Sequence, residues 1–257
     1  MSQGRADTHV IVLAAGRGSR LGPLGDEIPK WLLRIGDRTI AERQVEGAAA
    51  ATSISVVTGH ADSEIARFLD EHGHPEVETV FNPEWNTLNN WYSLLVGLRA
   101  LALQDDDDRV VVFNSDFYAE PDMYAQFVES SATTGAESLI AVDVERRLTD
   151  ESMKVSARSN GGPMPLLDRI GKVEVDDPIG EYVGMLMARG AVLRELTAML
   201  ASFEGHSGDA NQWYEGAVGR TAAAGVPWHV WATPSTDWVE IDDDTDYSTA
   251  EQLAQRA

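Results

Sequence analysis

Val10-Ile11-Val12-Leu13-Ala14-Ala15 runs directly into Gly16-Arg17-Gly18-Ser19-Arg20-Leu21, and this junction decides the fold class. Six consecutive apolar residues suit a strand buried on both faces, as in a parallel sheet covered by helices. Glycines placed directly after such a strand mark a βα turn whose backbone N–H groups can approach an anion closely. Spacing excludes two familiar phosphate loops. Gly16, Gly18 and Gly22 read G-x-G-x-x-x-G, one residue too long for the dinucleotide fingerprint, and no Gly-Lys-Ser/Thr follows at P-loop spacing. Arg20 and Lys30 stand close downstream, and these two cations turn a weak glycine signal into a candidate polyphosphate site.

Working outward, the apolar pattern alternates between strands and helices. Strands are expected at 54–58, 77–81 and 109–114, and helices at about 39–50, 63–71 and 89–103. In the last of these, Trp91, Leu94, Leu95, Leu98 and Leu101 recur at helical spacing. Such alternation builds βαβ units. Further on the pattern changes, with strands expected in succession at 138–144, 153–157, 172–175 and 182–188. Helices at about 191–203 and 212–224, two Trp-bearing strands at 228–232 and 237–241, and a helix from 245 complete the chain. The fold class is therefore α/β, a Rossmann-like three-layer sandwich with a mixed, mostly parallel central sheet, in a single domain over 1–257.

Composition narrows the function. Across 257 residues, 42 Asp and Glu stand against 20 Lys and Arg, a net charge of −22, with 43% hydrophobic residues. So acidic a surface argues against nucleic acid or an anionic membrane as partner. The absence of cysteine excludes disulfides, thiolate metal sites, iron–sulfur clusters and a Cys nucleophile. No secretory leader or membrane-length apolar run is visible, so a cytoplasmic protein is expected. The cations are 17 Arg and only three Lys, at 30, 154 and 172, and a lysine in such a chain marks a place that wants a compact point charge. The six histidines show neither a helical pair nor metal-ligand spacing. The acidic run 105–108 reads as a solvated turn.

Leu13-Ala14-Ala15-Gly16-Arg17-Gly18-Ser19-Arg20-Leu21, followed by Pro23-Leu24 and then Pro29-Lys30, resembles the signature of the nucleotidyltransferases that join a nucleoside monophosphate to a phosphorylated small molecule. The resemblance runs through most of the chain. It implies a fold of the nucleotide-diphospho-sugar transferase type, with 8–135 as the nucleotide-binding half and 136–257 as the acceptor-binding half. It implies that Leu13, Ala14, Ala15, Gly16, Gly18, Ser19 and Arg20 wrap the nucleoside triphosphate and that Lys30 contacts its phosphates. Asn114-Ser115-Asp116 and Glu240-Ile241-Asp242 match the family's two metal-bearing segments. Asp116 and Asp242 are thereby implied as Mg²⁺ ligands, with Ser115 beside the nucleotide. The chemistry is coherent, because two carboxylates from separate strand ends grip a hard cation that spreads charge at the α-phosphate. An acceptor oxygen that is already anionic needs no strong base, which suits a chain without an evident Ser/His/Asp set.

Within that family, Thr87-Leu88-Asn89-Asn90-Trp91-Tyr92-Ser93-Leu94 resembles the N-N-x-x-S-L element of cytidylyltransferases acting on phosphocholine or small phosphonates. Met153-Lys154-Val155 and Gly180-Glu181-Tyr182-Val183-Gly184 look like further elements of that group. The resemblance implies Asn89, Asn90 and Ser93 at the base or ribose and Lys154 at the reacting phosphates, although either asparagine equally suits a helix cap. Trp213, Tyr214, Trp228 and Trp238 fall in the acceptor half, where an aromatic box would hold a quaternary amine, although tryptophans in such a fold are more often simply core, and Glu181 or Glu215 would pair with a cation. Glu181, Tyr182, Glu215 and Trp238 are accordingly the expected acceptor residues. The expected reaction is CMP transfer from CTP to 2-aminoethyl- or 2-hydroxyethylphosphonate or phosphocholine, with release of pyrophosphate. A sugar-1-phosphate or polyol-phosphate enzyme is the alternative within this chemistry. A catalytically silent nucleotide-binding regulator on the same fold is the alternative of another class. A dimer is common among such enzymes, so a homodimer is compatible with the chain.

Overall fold

In chain order the strands are β1 (Thr8–Leu13), β2 (Arg34–Ile35), β3 (Arg38–Thr39), β4 (Ser53–Thr58), β5 (Val77–Phe81), β6 (Arg109–Asn114), β7 (Phe117–Ala119), β8 (Ser138–Asp143), β9 (Lys154–Arg158), β10 (Leu166–Gly171), β11 (Gly180–Arg189), β12 (His229–Ala232) and β13 (Trp238–Glu240). The computed structural model describes residues 6–22 and 28–256, so Pro23 and Leu24 of the glycine-rich stretch lie outside the described residues. Among the described residues, nine strands form one sheet in the order β5-β4-β1-β6-β11-β8-β12-β10-β9. The sheet is mixed. β11 and β10 run against the other seven strands, which share one direction.

The side-chain alternation of a strand divides β1 between two cores. Val10 and Val12 join one, and Ile11 and Leu13 join the other. Helices Ile40–Gly47, Asp62–Glu71, Pro121–Thr133 and Asp244–Ala254 cover the first face, and Asn90–Ala100, Gly190–Ser202 and Tyr214–Ala223 cover the second. This is the three-layer sandwich expected from the pattern. Leu94 and Leu95 of the Asn90–Ala100 helix are fully buried, each worth about 1.5–3 kcal/mol of apolar burial. No helix of the described residues is long and apolar enough to cross a membrane.

Three local expectations change. The strand expected at 172–175 is displaced to β10, which pairs antiparallel with β9. Glu174 and Asp177 have φ of 58° and 47°, a left-handed conformation that no strand accommodates. Helix Pro121–Thr133, absent from the pattern reading, starts on a proline whose missing N–H costs nothing in the first turn. Within the acidic run, Asp108 is buried rather than solvated, and it accepts from the N–H groups of Asp7 (3.0 Å), Gln104 (2.8 Å) and Asp105 (3.0 Å).

The sheet sets the site's position. β1, β4 and β6 end together, with Leu13 opposite both Val57 and Asn114, and ligands of parallel α/β sheets gather beyond such carboxyl ends. β11 enters beside β6 from the opposite direction, with Met185 opposite Phe113. Gly184, just before, has φ 79°, and a Cβ there would lie 2.9 Å from Asn114 Nδ2. Gly184→Ala is therefore expected to cost about 1–3 kcal/mol of backbone strain and to push Asn114 off the cavity wall. Urea unfolding checks the first effect and nucleotide binding the second. A fully stable variant with unchanged binding contradicts the argument.

Candidate active site

The turn after β1 is tied to its neighbour. Ala14 N donates to Val57 O (2.9 Å), and His60 N donates to Ala15 O (3.1 Å). Gly18, at φ 66°, leads into the short 3₁₀ turn Ser19–Leu21, and Leu21 is buried beneath it. The absent side chain matters, because a Cβ on Gly18 would stand 3.2 Å from Lys30 Cγ. Lys30 itself opens a second 3₁₀ turn after Pro29. Buried Trp31 anchors that turn by donating from Nε1 to Gln44 Oε1 at 3.0 Å. From there Lys30 Nζ reaches Asp116 Oδ2 at 3.1 Å and Asp242 Oδ1 at 2.7 Å, and Arg20 Nη2 meets the same Asp242 oxygen at 2.7 Å.

Strand pairing gathers the acids. β7 starts directly after Asp116 and pairs with β13, Phe117 opposite Glu240, while Ile241 N donates to Asp116 O at 2.9 Å. Oxygens of Asp116, Glu240 and Asp242 consequently lie within 4.8 Å of one another. Burial pulls the Lys30 ammonium toward neutrality, but the charges of Asp116 and Asp242 outweigh it, so its pKa lies above the ordinary lysine value. Burial first, then the same two charges, push the Glu240 carboxyl above its usual range. An all-oxygen donor set against which an ammonium already rests suits a hard divalent cation such as Mg²⁺. Glu240 was not among the expected ligands. Its position two residues before Asp242, on the same side of an extended chain, was the available signal.

The opposite wall is the start of the Asn90–Ala100 helix. Asn89 Oδ1 accepts from Asn90 N (2.8 Å), and its Nδ2 donates to Asn211 O (3.1 Å). Asn90 Oδ1 accepts from Tyr214 N (2.9 Å), and Ser93 Oγ accepts from Asn82 Nδ2 (3.0 Å). Asn89 is thus the cap, and Asn90 fastens the next helix to this one. Tyr214 belongs to a buried chain in which its hydroxyl lies 2.8 Å from that of Tyr182 and donates to Asn114 Oδ1 at 2.9 Å. Glu215, the next residue, is buried with Oε2 unpartnered, and burial pushes its carboxyl up to about 7.

These groups enclose a cavity of about 340 Å³. It brings together Leu13, Ala14, Ala15, Gly16, Gly18, Arg20, Lys30, Asn89, Asn90, Ser93, Ser115, Asp116, Tyr182, Glu215 and Asp242. The side chain of Ser19 lies outside the described residues. Three expected residues are elsewhere. Lys154 Nζ is spent on the carbonyls of Lys172 (2.8 Å) and Asp150 (3.4 Å). Glu181 precedes cavity-lining Tyr182 on β11, so strand alternation turns it to the other face. Trp238 is 3% exposed and donates from Nε1 to Asp143 Oδ2 at 2.7 Å, with the Arg146 guanidinium 4.3 Å from its ring, which makes it part of the core. In their place Lys172, Trp85 and Trp213 line the wall. Lys172 Nζ lies 5.5 Å from the centre of the Trp213 ring and 2.9 Å from Glu151 Oε2. The resemblance of Met153-Lys154-Val155 favoured Lys154, and nothing in the sequence pointed to Lys172 at this wall.

A glycine turn, a largely enclosed lysine and three convergent carboxylates stand together at the strand ends of this sandwich. The chain belongs to the family of the MobA-like NTP transferase domain, whose family model matches residues 10–217. It is 31% identical to the choline-phosphate cytidylyltransferase of Streptococcus pneumoniae over 94 residues, which are 36% of this chain and 40% of that protein. Over 95% of its length it is 27% identical to the CMP-5'-(3-aminopropyl)phosphonate synthase of Streptomyces rubellomurinus, matching 38% of that protein. The chain therefore spans well under half the length of these curated relatives. Among solved structures, the inositol-1-phosphate CTP transferase from T. maritima shares the fold, with a TM-score of 0.74, 17% identity and 98% of each chain covered.

Proposed function

We propose that the chain is a cytidylyltransferase that moves CMP from CTP to a small phosphonate or phosphomonoester such as 2-aminoethylphosphonate, 2-hydroxyethylphosphonate or phosphocholine. One observation carries the reading. Lys30 is held between Asp116 and Asp242 beside the glycine turn, in the same cavity as the Asn89–Ser93 helix start. The two curated relatives, which by name make a CMP-phosphonate or use choline phosphate, support CTP and a small acceptor.

Backbone N–H groups of the glycine turn, with Arg20 and Lys30, hold the triphosphate, while Asn89, Asn90 and Ser93 face the base and ribose. Asp116, Glu240 and Asp242 would hold Mg²⁺, which when bound neutralises charge on the α-phosphate oxygens. The acceptor's phosphonate or phosphate oxygen attacks the α-phosphorus in line. The bond from that phosphorus to the α,β-bridging oxygen breaks, and pyrophosphate leaves with the electron pair. Because the nucleophile is already anionic, the side chains contribute alignment and charge rather than a general base. Lys30 serves twice, first neutralising the acids before the nucleotide arrives and then facing its phosphates.

Pyrophosphate release tests this with Mg²⁺, each of the four nucleoside triphosphates and a panel of phosphonates, phosphocholine, glycerol phosphate and sugar-1-phosphates. Release confined to CTP with a phosphonate or phosphocholine is expected. Release only with a sugar-1-phosphate overturns the acceptor, and CTP binding with no release favours the silent regulator. Lys172 lines the cavity and Lys154 does not, so Lys172 is assigned to the acceptor's phosphonate or phosphate. Lys172→Met is expected to raise the acceptor KM roughly ten- to a hundredfold, the worth of a charge-assisted hydrogen bond. Lys154→Met, which frees two carbonyls, is expected to lower Tm more than it changes KM. An unchanged acceptor KM in Lys172→Met rejects that assignment.

A further inference from the structure

Asn114 ends β6 with its backbone and one side of its amide firmly held. Its carbonyl oxygen accepts from Gln44 Nε2 at 2.9 Å, and Gln44 is itself fixed by the indole of buried Trp31. Its side-chain Oδ1 accepts from the Tyr214 hydroxyl at 2.9 Å, and the Tyr182 hydroxyl stands 2.8 Å behind that one. Both phenol rings are buried. This arrangement fixes which way the amide faces. With Oδ1 turned to Tyr214, Nδ2 is turned toward the space that Gly184 leaves open, where an added Cβ would lie 2.9 Å from it. Asn114 and Gly184 both line the cavity, and Nδ2 has no hydrogen-bond partner among the described residues. A structural asparagine so enclosed would have its Nδ2 satisfied inside the fold. Here two buried phenols and a buried glutamine aim one uncharged donor at ligand space.

We propose that Asn114 is a catalytic residue whose Nδ2 donates to a non-bridging oxygen of the nucleotide's α-phosphate, with Tyr214 and Tyr182 as its positioning residues. The inference rests on the transfer reading above and goes beyond it by assigning a protein contact to the phosphoryl group that reacts. Its place in the sheet selects this atom. Leu13, from which the glycine turn leaves, stands opposite Asn114 in the β1–β6 ladder, and Asp116 of the carboxylate cluster follows two residues on. The amide therefore lies between the seat of the triphosphate and the acids. During displacement the bond from the acceptor oxygen to the α-phosphorus forms, the bond to the α,β-bridging oxygen breaks, and pyrophosphate leaves with the electron pair. Donors already in place hold the negative charge of the non-bridging oxygens through that exchange. Asn114 gives up no proton. It acts as a fixed dipole, and the hydroxyl chain behind Oδ1 polarises the amide and strengthens its N–H groups as donors.

The two phosphorothioate diastereomers of CTP, each with sulfur in place of one non-bridging α-oxygen, test the contact on the full chain. Asn114→Ala is expected to lower kcat/KM for CTP about a hundredfold, the usual worth of one oriented donor. For the diastereomer whose sulfur replaces the oxygen facing Nδ2, the loss should be at least tenfold smaller. A folding defect lowers all three nucleotides alike, so the difference between diastereomers isolates the α-phosphate. Tyr214→Phe keeps the ring and should lose about tenfold in kcat with the same diastereomer pattern, and adding it to Asn114→Ala should cost less than twofold more. Equal losses on both diastereomers overturn the proposal, as does full additivity of the two substitutions. Calorimetric titration of each diastereomer with Mg²⁺ and no acceptor separates this from the transfer reading. If the wild type releases no pyrophosphate yet binds one diastereomer at least threefold more tightly, and Asn114→Ala loses that preference, the contact stands and the transfer reading falls. Equal binding of the two by such a wild type overturns the contact.

Discussion

Lys30→Ala is expected to cut CTP-dependent pyrophosphate release by about a hundredfold to a thousandfold, the usual cost of one preorganised electrostatic group. The side chain is 12% exposed, touches two carboxylates and packs over Gly18. Arg20 does not take its place, because it reaches only Asp242 of the pair and is 64% exposed. Arginine at position 30 should not rescue, since the planar fork does not fit a seat shaped for a compact ammonium. Removing Lys30 also leaves Asp116, Glu240 and Asp242 facing one another with the exposed Arg20 on Asp242 as their remaining ion pair among the described residues. Thermal melts of the variant should therefore show a lower Tm in EDTA than the wild type, with most of the loss recovered on adding Mg²⁺. Wild-type turnover in Lys30→Ala removes the lysine from the chemistry.

Asp116→Asn should abolish Mg²⁺-dependent turnover while sparing the fold. Neutralising one acid relieves repulsion on Glu240, whose carboxyl is pushed up by burial and by the charges of Asp116 and Asp242. The metal-free variant is thus expected to be as stable as the wild type or slightly more so, the common pattern when a strained functional cluster is simplified. A cation that binds only the folded state raises Tm by mass action. Millimolar Mg²⁺ should accordingly stabilise the wild type and leave Asp116→Asn almost unmoved. Scanning calorimetry with and without Mg²⁺ reads both effects. An equal Mg²⁺ shift in the two proteins places the ion elsewhere.

Individual residues show how far the site was legible in advance. The glycine turn, Lys30 and Asp116 sit on or beside strand ends whose apolar runs are readable in consecutive residues. Glu240 was hidden in a segment already singled out. Lys154 and Lys172 are indistinguishable by type and composition, yet one ammonium is capped by carbonyls while the other faces the cavity. The same holds for Trp213, 44% exposed at the cavity wall, and Trp238, 3% exposed in the core. Residues 166–175 misled because the alternating charged and apolar residues of Lys172–Val175 look like a strand, whereas the backbone turns left-handed at Glu174 and Asp177.

Sequence alone determined the layer architecture and the strand junction on which a polyphosphate would rest. Both follow from interactions between near neighbours in the chain: the period of apolar residues, the freedom of glycine and the stiffness of buried strands. Tertiary structure decided which charges meet. Asp116 and Asp242 converge because β7 pairs with β13. Tyr182 faces the cavity and Glu181 does not because the register of β11 against its neighbours selects the face. Glu215 stands on the cavity wall because the helix that carries it is fastened through Tyr214 to Asn90. Such outcomes depend on the pairing of distant segments and on which polar atoms remain unsatisfied once all the others have found partners, and no local pattern encodes that remainder.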